Sequence, residues 1–194
     1  MKLKIVASGA AVIFSLAILV MSIFAAVDPM RVYTAEMGGL STQSGVRIEY
    51  YLPYPGILPD NKLYAIKMVR DRVRLWLTFG DEKKVARELE YADKRLGAAV
   101  ALIEGGKKEL GVRTYTKAEK YLESAVSRTM KMSSLGLDVK SWLLTLSKAA
   151  AKHAELGVML SARLEGDEKV VFEQAVRVTQ VLGERLEQAL REAR

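Results

Sequence analysis

The chain holds one histidine, His153, and no cysteine. These two counts decide most of the chemistry open to it. A thiolate nucleophile, a disulfide and a cysteine zinc site are excluded together. Acyl transfer by a serine–histidine–acid set would have to use His153, and no Gly-x-Ser-x-Gly elbow accompanies it. The metal sites that helical bundles host need further histidines or Glu-x-x-His pairs, and neither occurs. There is no Gly-x-Gly-x-x-Gly and no phosphate-cradling Gly-Lys-Ser/Thr loop. Glu88, Glu90 and Asp93 lie in a charge-balanced run, not in an isolated acidic pair of the glycosidase kind. Met130 and Met132 fit core filling. The residue types thus nominate no catalytic, cofactor-binding or metal residue, and the expectation is a protein that is not an enzyme. His153 itself falls on an apolar helical stripe and is expected as a buried or half-buried structural residue, with a titration near neutral pH open to it.

The element that organises the chain is the stretch from Pro53 to Gly80. Pro53, Pro55 and Pro59 fix φ and push their predecessors toward extended geometry, so residues 52–59 cannot be helical. Asp60 stands where an N-cap belongs. After it Leu63, Ile66, Val69, Val73 and Trp76 recur at three- and four-residue spacing, one apolar stripe on a first helix. Lys67, Arg70, Asp71, Arg72 and Arg74 lie mostly off that stripe. Gly80 ends the helix as a C′ residue and Asp81 caps the next. Before the prolines, Val46, Ile48, Tyr50 and Leu52 alternate with other residues, as a short strand or an extended strap would.

Four longer helices are expected to follow. The second carries Val85, Leu89, Ala92, Leu96, Ala99 and Ile103, an unbroken four-three seam of the kind that antiparallel bundles bury. Gly105-Gly106 turns the chain. The third runs from about Lys107 to near Gly136 on Leu110, Thr114, Ala118, Tyr121, Ala125 and Thr129, widened by Leu122, Val126 and Met130. Thr116 with Glu119 also matches a capping box. Asp138 caps the fourth, whose face is Val139, Leu143, Leu146, Ala150, His153, Gly157, Leu160 and Leu164. After Gly166-Asp167 the fifth carries Val171, Ala175, Val178, Leu182, Leu186 and Ala189. Long helices joined by short turns are antiparallel neighbours. The expected fold class is all-α: an N-terminal transmembrane helix, an extended strap, then an antiparallel bundle of about five long helices.

The run LPDNKLYAIK, followed by RDRVRLWLTFGDEKK and YADKRLGAA, resembles an uncharacterised bacterial extracytoplasmic family, one of the domains of unknown function. The matching positions are Leu58, Pro59, Asp60, Leu63, Tyr64 and Lys67, then Thr78 and Phe79, then Asp93, Arg95 and Leu96, with Lys62 standing where the pattern leads one to expect proline. The resemblance spans residues 53–125. It implies a membrane-attached or exported helical domain and supplies no catalytic residues.

The N-terminus carries the compartment. Lys2 and Lys4 precede Ile5–Val27, 23 residues without a charge and enough to span a bilayer. A cleaved signal would need a shorter apolar region and a small-residue exit, and Phe24 spoils the best frame, so an uncleaved anchor is the preferred reading and export after cleavage the alternative. The two lysines place the N-terminus in the cytoplasm and the rest outside. The expected domains are 1–27 as anchor or signal, 28–59 as tether and Pro/Tyr strap, and 60–194 as helical bundle. The net charge of +7 is interleaved with acids, as in Lys84–Glu88 and Glu90–Lys94 at i,i+4, and reads as a solvated surface. The candidate interaction residues are Tyr50, Tyr51 and Tyr54 on the strap and Arg70, Arg72 and Arg74 on the first helix, with Lys117 and Lys120 completing a basic face. The expected function is a membrane-anchored extracytoplasmic helical module that binds a protein partner or senses envelope state. Its expected partners are the bacterial membrane, through residues 5–27, and a protein, with no nucleic acid. The alternatives are a periplasmic chaperone-like protein and a cell-wall or polyanion binder.

Overall fold

A computed structural model of the chain describes residues 50–192, together with Ser15 alone. The anchor expected over residues 1–27 (apart from Ser15) and residues 28–49 of the expected tether and strap lie outside the described residues. Among those described, no helix is long and apolar enough to cross a membrane. Five helices and no strand occur within them: α1 (Tyr64–Trp76), α2 (Asp81–Glu104), α3 (Lys108–Ser134), α4 (Lys140–Ser161) and α5 (Gly166–Glu192). Short turns join α2 to α3 and α4 to α5, giving two helical hairpins that pack on one another. The four long helices close the core. α1 is only 13 residues long and, of the other helices, touches α2 alone, so the bundle is four helices with a fifth laid outside it.

The seam expected on α2 is buried from Val85 to Ile103, and the α4 face from Val139 to Leu164 is buried likewise, His153 included. α3 buries Thr114, Ala118, Leu122, Ala125, Val126 and Thr129. On α5 the expected Leu182 and Leu186 are buried, but the first half of the seam is shifted by one residue. Phe172, Val176, Thr179, Leu182 and Leu186 face inward, while Val171 and Val178 are exposed. Two apolar rows compete on that helix, and the one bearing Phe172, whose ring packs on Tyr115 with centroids 4.3 Å apart, wins the core.

Several local signals resolve differently from their sequence reading. α1 starts at Tyr64, and Asp60 does not cap it. The Asp60 carboxylate pairs instead with Lys107 in the α2–α3 turn, while the Asn61 Oδ1 accepts from the Leu63 N–H at 2.9 Å. α1 ends at Trp76, so Gly80 is the N-cap of α2 at φ 90° rather than the C′ residue of α1. Asp138 does accept from a backbone N–H at the start of α4, that of Lys140 at 3.1 Å. The capping-box reading of Thr116 and Glu119 fails because α3 is already one helix there and Glu119 points into the core.

Residues 50–55 run along the bundle without helix or strand, and the chain then turns at Gly56, where φ is 69°. Their seat is Gly97 on α2, where an added Cβ would lie 3.6 Å from the Pro55 ring. The other end of the same strap is clamped by Lys67 of α1, whose ammonium donates to the Pro55 carbonyl at 2.6 Å and the Ile57 carbonyl at 3.0 Å. Leu52 and Tyr50 complete the attachment by packing onto the two halves of the core.

Candidate functional site

The core is divided in two by a layer of polar side chains. On one side lie Val85, Leu89, Ala92, Leu122, Val126, Leu143, Leu146, Leu182 and Leu186. On the other lie Leu96, Ile103, Val112, Tyr115, Leu156, Leu160, Phe172 and Val176. Between them each long helix contributes one buried polar residue: Asp93 from α2, Glu119 from α3, His153 from α4 and Thr179 from α5. The heights agree because α2 and α4 run one way and α3 and α5 the other, so the four mid-helix positions meet.

His153 is fully buried. Its Nδ1 lies 2.8 Å from Glu119 Oε1 and its Nε2 lies 3.1 Å from Asp93 Oδ1. The second oxygen of each acid is also used. Thr179 Oγ1 donates to Glu119 Oε2 at 2.5 Å, and Tyr50 Oη, from the strap, donates to Asp93 Oδ2 at 2.7 Å. The result is one unbroken chain, Tyr50–Asp93–His153–Glu119–Thr179. Two carboxylates facing one imidazole from opposite edges leave both ring nitrogens as donors, which is the imidazolium form. Burial pushes the His153 pKa down, but the Glu119 charge and the bonds from both acids outweigh it, and the pKa rises to about 9. The titration near neutral pH that the sequence left open thereby moves to the alkaline side. Both oxygens of each acid are thus hydrogen-bonded. Burial and the Asp93 charge push the Tyr50 hydroxyl well above the usual phenol range, so it stays a neutral donor.

Chemically the layer is closed. His153 reaches no solvent, its two N–H groups are engaged, and no hydroxyl lies on it as a nucleophile would. Among the described residues no group of three or more acids and histidines is arranged to hold a metal ion. Sequence reasoning placed Asp93 in a solvated helix face and saw Glu119 only as a capping partner. The usable signal was that each acid replaces an apolar residue in an inward row: Leu89–Asp93–Leu96–Val100 and Tyr115–Glu119–Leu122–Val126. Glu88, also assigned to the surface, is buried and accepts from Ser124 at 2.9 Å and from Arg128 at 3.1 Å. Of the expected surface pairs, Lys94–Glu90 forms at 2.6 Å.

The second feature is the face of α1. Tyr64, Lys67, Met68 and Asp71 turn toward the bundle, and Asp71 is buried. Tyr91 Oη donates to the Asp71 carbonyl at 3.1 Å, and Arg95 donates to Met68 Sδ at 3.3 Å. The Arg95 guanidinium is buried over the Tyr121 ring, 4.4 Å from its centroid, so ring faces rather than a carboxylate receive this cation. With its polar side inward, α1 shows its apolar stripe to water. Ile66 and Val69 are 68% and 65% exposed, Trp76 and Phe79 78% each, and Leu63, Val73 and Leu77 are exposed as well. Contiguous exposed apolar surface of this kind marks an interaction site in a natural protein.

The expected interaction residues do not form one face. Tyr50 is drawn inward to Asp93, whereas Tyr51 and Tyr54 are exposed. Arg70 is paired with Asp71 at 2.7 Å, Arg72 is exposed, and Arg74 is half-buried with its carbonyl bound by Thr78 Oγ1. A shallow depression by the α2–α3 turn mixes Lys107, Lys108, Glu109 and Glu168, and its opposed charges select no ligand.

Fold and site together define a small helical domain with a sealed polar centre and an amphipathic helix displayed on its outside. The chain belongs to the family described as domain of unknown function DUF5667, whose model matches residues 56–193. No curated protein and no solved structure matches the chain significantly.

Proposed function

We propose that this chain is a membrane-anchored extracytoplasmic helical module that works by binding, recognising a protein partner or sensing envelope state, and that it carries no enzymatic activity. The observation that supports this reading is the outward apolar face of α1. A 13-residue helix that turns Lys67, Arg70 and Asp71 toward its own bundle and Ile66, Val69 and Trp76 toward water is arranged to be covered by something else. The anchoring part rests on the charge-free run Ile5–Val27, and the outward orientation on Lys2 and Lys4 before it.

The test is site-specific photocrosslinking in cells with the full-length chain. A crosslinker at Ile66 or Val69 is expected to give adducts, to protein or to lipid, and one at the exposed Lys120 of α3 is not. Absence of adducts from both α1 positions, with the protein present in the membrane fraction, would end the binding reading. Recovery of the chain from the soluble cytoplasmic fraction would end the anchored one.

A further inference from the structure

We infer that α1 is an interfacial helix that lies on an anionic bilayer surface, with Leu63, Ile66, Val69, Val73 and Trp76 in the acyl boundary and Lys62 and Arg72, at its margins, among the headgroups. This rests on the reading of the chain as a membrane-anchored binding module and names what the module binds.

Charge and reach point to this occupant. The α1 sequence YAIKMVRDRVRLW holds one lysine and three arginines against a single acid, and that acid, Asp71, is buried and paired with Arg70. Within α1 itself the outward side therefore presents apolar side chains and Arg72 with no exposed carboxylate; Lys62 is exposed just before it, and of the acids that flank it Asp60 is paired with Lys107 and Asp81 with Arg128. An apolar stripe with a basic flank is the signature of a helix lying in the plane of a membrane interface, and anionic lipid completes the attraction. Trp76 and Phe79, at the C-terminal end of the stripe, are ring types that settle at that depth. A groove on a soluble protein would be expected to reward some acid on this face as well as base, since interface rims mix both signs.

Reach is set by the tether. In the sequence 22 residues, 28–49, separate the charge-free run from the strap, and a chain of that length reaches at most about 75 Å. An anchored chain cannot carry the domain far from the bilayer, so α1 meets the membrane at high effective concentration. α1 also needs no refolding to dock. Its inward side is already held by Tyr91, Arg95 and the Lys67 clamp, so the apolar face is preorganised.

The chain contains two tryptophans, and Trp142 is half-buried against the core. Full-length protein carrying Trp142→Phe therefore reports from Trp76 alone. It is reconstituted into vesicles of phosphatidylcholine, with or without phosphatidylglycerol, whose acyl chains are brominated or plain. The expected result is loss of most Trp76 emission in brominated anionic vesicles, protection from aqueous acrylamide there, and weaker effects without phosphatidylglycerol. Lys62→Glu with Arg72→Glu is expected to abolish the dependence on anionic lipid. If the chain floats with the vesicles while Trp76 stays open to acrylamide and unquenched by bromine, the docking of α1 is overturned and the anchored module stands. If Trp76 is shielded from acrylamide but not quenched by bromine, a protein surface covers it, whether a partner, a second copy or other residues of this chain, and the bilayer assignment is overturned. If the chain does not float, the anchored reading and the inference built on it both fail.

Discussion

The polar layer at the centre and the face of α1 invert the usual distribution in opposite directions. At the centre, Asp93, Glu119 and His153 are buried where four helices meet. On α1, Ile66, Val69, Trp76 and Phe79 stand in water while Asp71 is buried. Both inversions have the same cause. A residue's side is chosen by what its neighbours offer, and residue type enters only through that choice. The centre offers each acid two donors, so burial of the charges is compensated. The outer side of α2 offers α1 the hydroxyl of Tyr91 and the guanidinium of Arg95, so the polar side of α1 finds its partners inward. The apolar side of α1 has no such offer, because the four long helices have already closed the core.

The sharpest way to break the comparison is to remove the cation from the centre. His153→Ala leaves two buried carboxylates facing each other, and the expected loss is about 3–5 kcal/mol of unfolding free energy, read by denaturant titration. A loss below about 1 kcal/mol would mean that water or a rearranged side chain already serves the acids.

The pH dependence tests the same charge without disrupting packing as far. The His153 pKa is raised from its unfolded value of 6.5 to about 9, so the folded state binds the proton more tightly. Its contribution, on the order of 3 kcal/mol, is complete below the unfolded pKa of 6.5 and lost as pH rises through about 9. The measurement is the stability difference between the wild type and His153→Gln across that range. Lys67, which burial pushes down to about 8, has the opposite dependence and cancels in this difference. A flat difference curve would show that His153 is neutral in the fold.

Gly157→Ala probes how tightly the layers pack. A Cβ there would lie 2.5 Å from Tyr115 Oη and 2.7 Å from Val176 Cγ2, so the usual gain of replacing a helical glycine is outweighed, and a net loss of about 1–3 kcal/mol is expected. Tyr50→Phe removes only the donor to Asp93 Oδ2. It should cost about 1–2 kcal/mol and raise the hydrogen exchange of residues 50–55, because the strap loses its anchor in the core. The smallest effect belongs to α1. Ile66→Ser and Val69→Ser should change stability by no more than about 0.5 kcal/mol, while lowering crosslinking or lipid contact. A larger loss would show that this face packs within the fold, and the contrast between the two regions would disappear.

Much of the fold was legible because helical periodicity reports directly on backbone geometry. The α2 seam from Val85 to Ile103, the α4 face from Val139 to Leu164, and the turns at Gly105-Gly106 and Gly166 follow from spacing and turn chemistry alone. The resemblance at Leu58–Lys67 and Asp93–Leu96 likewise pointed to a family of unknown function, to which the chain belongs. The burial of His153 was legible too, since it lies on an apolar stripe.

Its partners were not. Asp93 and Glu119 are 26 residues apart in sequence and 60 and 34 residues from His153, and periodicity within one helix cannot tell an acid that meets a cation across the bundle from one that meets water. The direction of α1 was undecidable for a related reason. Its apolar and polar rows are equally regular, and periodicity says that two faces exist without saying which is covered. In the first half of α5 the same ambiguity cost one residue of register, settled by the packing of Phe172 on Tyr115. By itself the amino-acid sequence determined the four long helices and the turns between them, because these depend on contacts a few residues apart. Only the tertiary structure decided that four helices suffice for the core, that His153 is held as a cation between two acids, and that α1 shows its apolar side outward. Those outcomes depend on desolvation and pairing between groups far apart in the chain, where the energy belongs to the pair and neither residue carries it alone.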